Sequence, residues 1–312
     1  MSQTPLTFQP LYKTRVWGGR VLESRYGRAL PDDQPYGESW ELVDREDDQS
    51  VVTSNNYVGK TLHELWTQHR AEVFGDNLPD SERFPILIKI LDCQDDLSIQ
   101  VHPPAELAPS LNGEPKTEMW YLAGAEERAS LYIGLKDGVT REQFETSIKV
   151  GTVADYVHRI APKEGESIFI PSGRLHAIGG GNLIFEIQQN SDTTYRVFDW
   201  NRLGLDGEPR ELHIDESLAS IDFDDFEPAM DTPVGNTLAT CEYFQTDELK
   251  VAAGEEIANP KADSFSVLAV VSGKLTSAEG SYQAGDFLLL PKGAAPLTAS
   301  EDSVVLQVTL PA

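Results

Sequence analysis

Short apolar runs separated by turn-forming residues constrain the fold of this chain more than any other feature of its sequence. The runs FPILIKILD (84–92), EMWYLAG (118–124) and NLIFEIQQ (182–189) are typical, and clusters of Gly, Pro and Asp separate them. Runs of this length, punctuated in this way, predict a mainly β fold. Apolar residues recur at helical spacing in residues 61–75, and more weakly in 141–151 and 211–221, which predicts a few short helices.

The acidic, proline-bearing segment DFDDFEPAMDTPVG (222–235) has the composition of a linker and indicates a domain boundary near residue 230. We therefore expect a first domain over residues 1–230, with N-terminal strands and the helical segment, and a second β domain over residues 231–312. A weak repeat relates them, because GESIFIPSGRLH (165–176) and GDFLLLPKGAAP (285–296) share Gly-acid, an apolar strand and Pro-x-Gly. The repeat predicts two related β units, although two unrelated turns can match by chance. Pro296 replaces His176 in the second copy, so only the first is equipped for chemistry.

The charge of the chain excludes several classes of partner. Its 312 residues include 51 acidic and 25 basic side chains, and the resulting field repels nucleic acids. No basic amphipathic segment and no apolar run of roughly 20 residues indicates a membrane partner. A small anionic substrate is compatible with this charge, because a few local cations can outweigh a screened background.

The N-terminal sequence and the cysteines predict where the protein works. The first residues lack the apolar segment of a secretory signal, and Cys93 and Cys241 fit no disulfide framework. We therefore expect a reduced, cytoplasmic setting. The sequence indicates no particular oligomeric state.

Polar residues at alternate positions of two apolar runs mark a candidate site. Gln100 and His102 share one strand face in LSIQVHP, and Lys116 and Glu118 share one face at the start of the next run. Polar side chains that point into a sheet interior need partners there. With His176, these residues supply two imidazoles, a carboxylate and an amide oxygen, a set that can coordinate zinc or a similar divalent ion. The alternative is that hydrogen bonds satisfy each side chain separately.

Several longer motifs resemble one enzyme family. GESIFIPSGRLH fits the second cupin motif, G-x5-P-x-G-x2-H. The strings FPILIKILDCQDDLSIQVHP, KTEMWYLAG and QNSDTTYRVFDWNR, with YKTRVWGG near the N-terminus, resemble type I mannose-6-phosphate isomerases in their short bacterial form. The resemblance extends from about residue 8 to 215 and more loosely to the end of the chain. It implies two cupin-type (jelly-roll) β-barrel units, the first catalytic and metal-binding and the second degenerate.

The resemblance also implies an activity and a set of site residues. The activity is that of a zinc enzyme, with one ion per chain, which interconverts mannose 6-phosphate and fructose 6-phosphate through an enediol. The family's metal ligands correspond to His102, Glu118 and His176, with Gln100 as a further ligand. The family's catalytic arginine corresponds to Arg196 in TTYRVFDW, although an ion pair of structural importance is the alternative for this residue.

Four more residues receive roles from the resemblance and from their chemistry. Lys116 matches a pocket lysine, and burial beside other cations would lower its pKa toward neutrality, as proton transfer requires. Lys89 matches a second pocket lysine that could hold the phosphate or assist ring opening, or it is an ordinary strand-edge lysine. Trp17 and Trp40 could line a sugar pocket, although a place in the core is the commoner explanation for such aromatics.

Two other functions are compatible with the same motifs. One is a different metal-dependent cupin enzyme, such as an iron dioxygenase, which would need Fe(II) and consume oxygen. The other is a non-catalytic sugar-binding cupin, which would tolerate the loss of Arg196.

Overall fold

The structure of the protein is a computed structural model that describes residues 4–76 and 78–311. Its α-helices are α1 (Val21–Tyr26), α2 (Leu62–Gln68), α3 (Arg70–Val73), α4 (Arg141–Val150) and α5 (Ile214–Ser220), and short 3-10 helices span Asn55–Tyr57, Ala108–Leu111 and Val153–Tyr156. The strands of the first part of the chain are β1 (Leu11–Gly19), β2 (Tyr36–Leu42), β3 (Ile86–Cys93), β4 (Ile99–Val101), β5 (Glu118–Ala125), β6 (Leu131–Leu135), β7 (Val157–Ile160), β8 (Ser167–Ile170), β9 (His176–Ile178), β10 (Asn182–Gln189) and β11 (Tyr195–Phe198). The remaining strands are β12 (Thr237–Thr240), β13 (Gln245–Val251), β14 (Glu256–Ile257), β15 (Ser266–Ser272), β16 (Lys274–Ser277), β17 (Gly280–Gln283), β18 (Phe287–Leu290), β19 (Leu297–Ala299) and β20 (Ser303–Thr309).

The chain forms two compact units, each assembled from segments that are distant in sequence. The site unit comprises Tyr12–Ser39 and Lys89–Asp231, and the C-terminal unit comprises the described residues of Met1–Leu11, Trp40–Ile88 and Thr232–Ala312. The boundary after Asp231 lies beside the one expected near residue 230. However, residues 40–88 group with the C-terminal segment, whereas the sequence prediction assigned them to the domain over residues 1–230.

Two sheets build the site unit. One has the strand order β1-β2-β3-β10-β5-β8, in which β1, β2 and β3 contribute residues to both units, and the other has the order β11-β4-β9-β6-β7. Apolar side chains of the first sheet, including Trp120 and Ile184, share one buried core with Ile133 and Ile178 of the second. The other face of the second sheet packs against Phe144 of α4 and neighbouring apolar residues. The second sheet is therefore buried on both faces, so polar side chains between the sheets are removed from water.

The C-terminal unit is also a pair of sheets. Their strand orders are β12-β13-β20-β15-β18 and β14-β19-β16-β17, and Leu268 and Leu288 of the first share a core with Leu297 of the second. Residues 40–88 join this unit partly through aromatic contacts, because the rings of Phe74 and Phe84 lie 5.0 and 5.9 Å from that of Phe265. Such contacts depend on side chains far apart in the sequence, and the composition of a linker does not reveal them.

The mainly β fold with a few short helices is confirmed. β10 coincides with the apolar run that predicted it, and β3 and β5 each extend one residue beyond theirs. Within residues 4–76 and 78–311, hydrogen bonds do not join the sheets of either unit into a continuous barrel. The segment predicted to be helical over 61–75 contains two helices, because the backbone leaves helical geometry at His69, with φ of −125°. Thr61 and Glu64 cap the first of them, each side chain accepting a hydrogen bond from the other residue's backbone N–H.

The helices predicted in 141–151 and 211–221 are α4 and α5. Thr140 and Gln143 form a second capping box at the start of α4, and Gly151 ends that helix with φ of 76°. Among the helices that the structure describes, none is long and apolar enough to cross a membrane.

Candidate metal centre

Strand pairing brings the predicted ligands together from three separate segments. Gln100 lies in β4 opposite His176 in β9, and His102 directly follows β4. Glu118 begins β5 of the other sheet, where it pairs with Gln188 and Ile170. Two imidazoles from one sheet therefore meet a carboxylate from the other in the interior of the site unit.

The distances among these side chains fit a single small cation. Nε2 of His102 lies 3.6 Å from Oε2 of Glu118, and Nε2 of His176 lies 3.6 Å from Oε1 of the same carboxylate. One potential ligand atom from each residue lies within 4.8 Å of the others, and all three residues are at most 1% exposed. The amide nitrogen of Gln100 lies 3.3 Å from Nε2 of His176. A half turn of that amide would exchange the nitrogen for the oxygen, which can act as a metal ligand.

Hydrogen bonds on the far side of each ring fix which imidazole nitrogen is available. Nδ1 of His102 donates to the carbonyl oxygen of Thr193 at 2.8 Å, and Nδ1 of His176 donates to that of Arg174 at 2.9 Å. Both Nε2 atoms therefore carry a lone pair directed at Glu118. Nε2 of His102 and Oε1 of Glu118 are buried without a hydrogen-bond partner. Acceptors left unpaired in a buried site are what a divalent cation satisfies, so the residues fit a metal ion.

The electrostatics of the cluster favour, for each candidate ligand, the protonation state that metal binding needs. Burial, followed by the charge of Lys116, lowers the pKa of His102 to about 3, and burial also lowers the pKa of His176. Burial alone would raise the pKa of Glu118, but Lys116 and the imidazoles hold it well below its usual value. At neutral pH the set is two neutral imidazoles and one carboxylate.

Lys116 lies among carboxylates in the interior of the site unit. Its Nζ lies 2.9 Å from Oε2 of Glu118, and its side chain is 5% exposed. Burial alone would lower its pKa, but the carboxylates of Glu118 and Glu186 raise it above the usual value for lysine. The sequence hypothesis would lower this pKa through a neighbouring metal ion, and the side chains around the lysine act in the opposite direction.

A cavity of about 550 Å³ opens beside the ligands, and every residue that lines it belongs to the site unit. Gln100 and His176 connect the cavity to the ligand cluster, and the lining also contains the predicted residues Trp17, Lys89, Lys116 and Arg196. Trp40 does not line this cavity: it is 2% exposed and packs in the C-terminal unit against Val43 and Leu87.

A buried carboxylate that sequence reasoning overlooked also lines the cavity. Oε2 of Glu186 lies 3.3 Å from Nζ of Lys89, and Oε1 accepts a hydrogen bond from Nε1 of Trp120 at 3.1 Å. Burial raises the pKa of Glu186, although the nearby lysines oppose the shift. The signal was present in NLIFEIQQ, because Glu186 interrupts an apolar run just as Gln100 interrupts its own.

Arg196 lies beside the ligands because of strand register. It faces Gln100 across the pairing of β11 with β4, and it lines the cavity. One guanidinium nitrogen, Nη1, donates to the carbonyl oxygen of Glu211 at 2.8 Å, whereas Nε is buried without a partner. Burial, with the charge of Arg210 next, lowers the pKa of Arg196. A guanidinium stays protonated at neutral pH even so, which suits it to stabilise negative charge.

The chain is similar to known proteins over nearly its whole length. Residues 6–145 match the catalytic-domain model of type I phosphomannose isomerase. The mannose-6-phosphate isomerase ManA of Bacillus subtilis is 37% identical over 306 residues, which cover 94% of this chain and 95% of ManA.

Solved structures are similar in fold as well. The crystal structure of the mannose 6-phosphate isomerase from Bacillus subtilis superposes with a TM-score of 0.88 at 32% identity, covering 99% of this chain and 100% of that one. A mannose 6-phosphate isomerase described as bound with zinc and yttrium shares the fold at 17% identity, with a TM-score of 0.78 and 99% and 100% of the two chains covered. Sequence identity over this length and the shared fold lead to one conclusion: the chain belongs to the type I phosphomannose isomerase family.

Proposed function

We propose that the protein is a zinc-dependent aldose–ketose isomerase that interconverts mannose 6-phosphate and fructose 6-phosphate through an enediol, with one zinc ion per chain. The observation that carries the proposal is the buried cluster of His102, Glu118 and His176 beside a cavity lined by Arg196. The names of the relatives support the substrate, and the zinc in one structural neighbour supports the metal. A small sugar phosphate is then the partner of the site, and a cytoplasmic setting stays a prediction.

The ligand set assigns the metal its place. His102, Glu118 and His176 would hold the ion, with Gln100 as a fourth ligand after its amide turns. A divalent ion there would polarise the carbonyl oxygen of the open-chain sugar without taking part in redox chemistry. The neutral imidazoles and the ionised carboxylate need no proton release before binding, because burial has already lowered the two histidine pKa values.

The chain's own residues would move the protons. The isomerisation removes a proton from C2 of the aldose and returns one to C1, while the hydroxyl proton passes from O2 to O1, so no electron acceptor is needed. Glu186 lines the cavity, is not in the ligand cluster, and has a raised pKa because of burial. A carboxylate with these properties suits the carbon-to-carbon transfer.

Lys116 and Arg196 would act through their charge. Lys116 is held cationic by Glu118 and Glu186, so it suits stabilisation of the enediolate better than proton abstraction. Arg196 brings a second fixed positive charge to the cavity and has an unpartnered Nε to donate.

The direct test is a coupled assay for fructose 6-phosphate formed from mannose 6-phosphate. Protein stripped of metal should be inactive, and zinc should restore turnover under anaerobic conditions. Activity that required Fe(II) and consumed oxygen would support a dioxygenase instead. Binding of sugar phosphate without turnover, with zinc present, would support a sugar-binding protein.

A further inference from the structure

The positive charges of the cavity are not equally balanced by carboxylates. Lys89 lies 3.3 Å from Glu186 and 4.0 Å from Glu38, and Nε of Arg15 lies 2.8 Å from Glu38. An anion that approached Lys89 would therefore meet two carboxylates already in place. The same holds for Lys116, which lies 2.9 Å from Glu118.

A buried carboxylate near the cavity, Asp199, is shared by two guanidiniums, and one of them, Arg210, lines the cavity. Asp199, which is 6% exposed, accepts hydrogen bonds from Arg202 at 3.0 and 3.2 Å and from Nε of Arg210 at 2.7 Å. Arg202 also lies 3.4 Å from the exposed Asp95. The described hydrogen-bond partner of the Arg196 guanidinium is a backbone carbonyl. One carboxylate thus serves both Arg202 and Arg210, whereas Lys89 lies near two carboxylates of its own.

Asp199 gives Arg210 a fixed orientation. Both Nε and Nη2 of Arg210 donate to this carboxylate, at 2.7 and 2.5 Å. The two hydrogen bonds fix one edge of the guanidinium. Arg210 lines the cavity together with Arg196, whereas Arg202, bound to the same carboxylate, does not. The lining acid nearest in sequence, Asp206, is exposed and accepts a hydrogen bond from the backbone N–H of Glu208 at 3.0 Å. Arg210 is therefore presented to the cavity by its neighbours.

We propose that Arg210, oriented by Asp199, binds the phosphate group of the sugar phosphate, while Arg196 serves the reacting end. This inference rests on the proposed function. A phosphate monoester carries about 1.5 to 2 negative charges near neutral pH and three acceptor oxygens, and guanidinium forks match it in geometry. Arg196 lies next to the metal ligand Gln100 by strand register, whereas Arg210 follows β11 in the next segment of chain. The phosphate on C6 is four carbons from C2, so separate arginines can serve the two ends of the substrate.

The test compares two arginines that share Asp199. Arg210→Gln should lower kcat/KM for mannose 6-phosphate by roughly 10- to 100-fold, mainly through KM, and should weaken competitive inhibition by inorganic phosphate by a similar factor. Arg210→Lys keeps the positive charge but loses the paired N–H donors of the guanidinium. Its kcat/KM and its inhibition by phosphate should lie between those of the unaltered protein and Arg210→Gln. Arg202→Gln is the matched control and should change both constants by less than about threefold. Asp199→Asn should raise the KM and the inhibition constant of phosphate with a smaller change in kcat, as expected of a positioning residue.

Each outcome decides between a phosphate contact and a structural role. Unchanged phosphate inhibition in Arg210→Gln, with native circular dichroism, would overturn the proposal. Equal losses in Arg202→Gln and Arg210→Gln would also overturn it, because they would mean that the segment only needs both arginines to fold. Should the unaltered zinc enzyme fail to convert mannose 6-phosphate, the proposed function fails instead. Inorganic phosphate binding, measured by calorimetry on the unaltered, Arg210→Gln and Arg202→Gln proteins, would still decide the role of Arg210.

Discussion

Nδ1 of His102 lies 2.8 Å from the carbonyl oxygen of Thr193, which is 91 residues later in the sequence. The bond fixes the ring so that Nε2 is directed at Glu118, 3.6 Å away. A histidine oriented in this way loses little freedom when a cation binds, because its tautomer and rotamer are already those of a ligand.

Replacing either imidazole should remove the metal and the activity together. His102→Ala or His176→Ala leaves two protein ligands of the three buried ones, so we expect zinc affinity to fall by more than about 100-fold. Metal analysis after dialysis and the coupled isomerase assay measure the two effects. His158→Ala is the control, because its ring is partly exposed and lies 3.9 Å from the surface residue Glu227. Full zinc content in both ligand variants would contradict the assignment.

Chelation should abolish turnover reversibly, with one zinc ion restored per chain. Among residues 4–76 and 78–311, His102, Glu118 and His176 form the cluster of suitable side chains. The second copy of the motif has Pro296 where the first has His176, so it offers no imidazole at that position. Titration of stripped protein with zinc, followed by activity and calorimetry, gives the stoichiometry. Two equivalents of comparable affinity, or indifference to chelators, would be incompatible with this prediction.

Arg196→Ala should stop catalysis without unfolding the protein. We expect kcat to fall by about 100- to 1,000-fold, since a fixed charge beside the reacting atoms is lost. Zinc content should be unchanged because Arg196 pairs with Gln100 through the backbone of β11 and β4. Arg128→Ala, on an exposed turn with its own partner Glu126, is the control. Turnover retained in Arg196→Ala would contradict a catalytic role for this residue.

Glu186→Gln should separate proton transfer from packing. In the unaltered protein Nε1 of Trp120 donates a hydrogen bond to Glu186 at 3.1 Å. The amide oxygen of the variant can still accept this bond, but the amide cannot take up a proton. We expect kcat to fall by about 100-fold or more with zinc retained. Glu38→Gln removes the other carboxylate near Lys89, 4.0 Å away, and should be less harmful. Similar losses in the two variants would mean that neutralising Lys89, rather than proton transfer, is the function of Glu186.

The stability of the metal-free protein should decrease as the pH is lowered below about 6.5. The pKa of His102 is lowered to about 3 by burial, so the unfolded chain binds a proton that the folded chain does not between these values. The contribution of this ring to the free energy of unfolding is therefore complete above about pH 6.5. It is lost by up to ~1.4 kcal/mol per pH unit as the pH falls toward 3.

Urea denaturation of chelated protein at about pH 7.5 and about pH 5 measures this dependence. His102→Gln should reduce the difference in unfolding free energy between the two pH values, whereas His158→Gln should leave it unchanged. An identical pH dependence in the unaltered and His102→Gln proteins would contradict the burial of a neutral imidazole.

Local patterns were sufficient to predict several of the strands and the polar side chains that interrupt them. Alternation in an extended backbone placed Gln100 on one face of its strand whatever the rest of the chain does, and apolar runs marked β3, β5 and β10. The capping pairs Thr61–Glu64 and Thr140–Gln143 are likewise set by residues three apart. These features depend on residues only a few positions apart, so the local sequence is enough to predict them.

Contacts between distant segments decided the rest. The sequence could not show that residues 40–88 join the C-terminal unit, because the ring contacts of Phe74 with Phe265 arise only when the chain folds. Nor could it assign Lys89 to Glu186, surround Lys116 with carboxylates, or select Arg210 rather than Arg202 for the cavity. Charge pairing depends on separation in space and on burial, and tertiary structure alone sets both. The sequence by itself determined which chemical groups were available, and the packing of two sheets determined which of them meet.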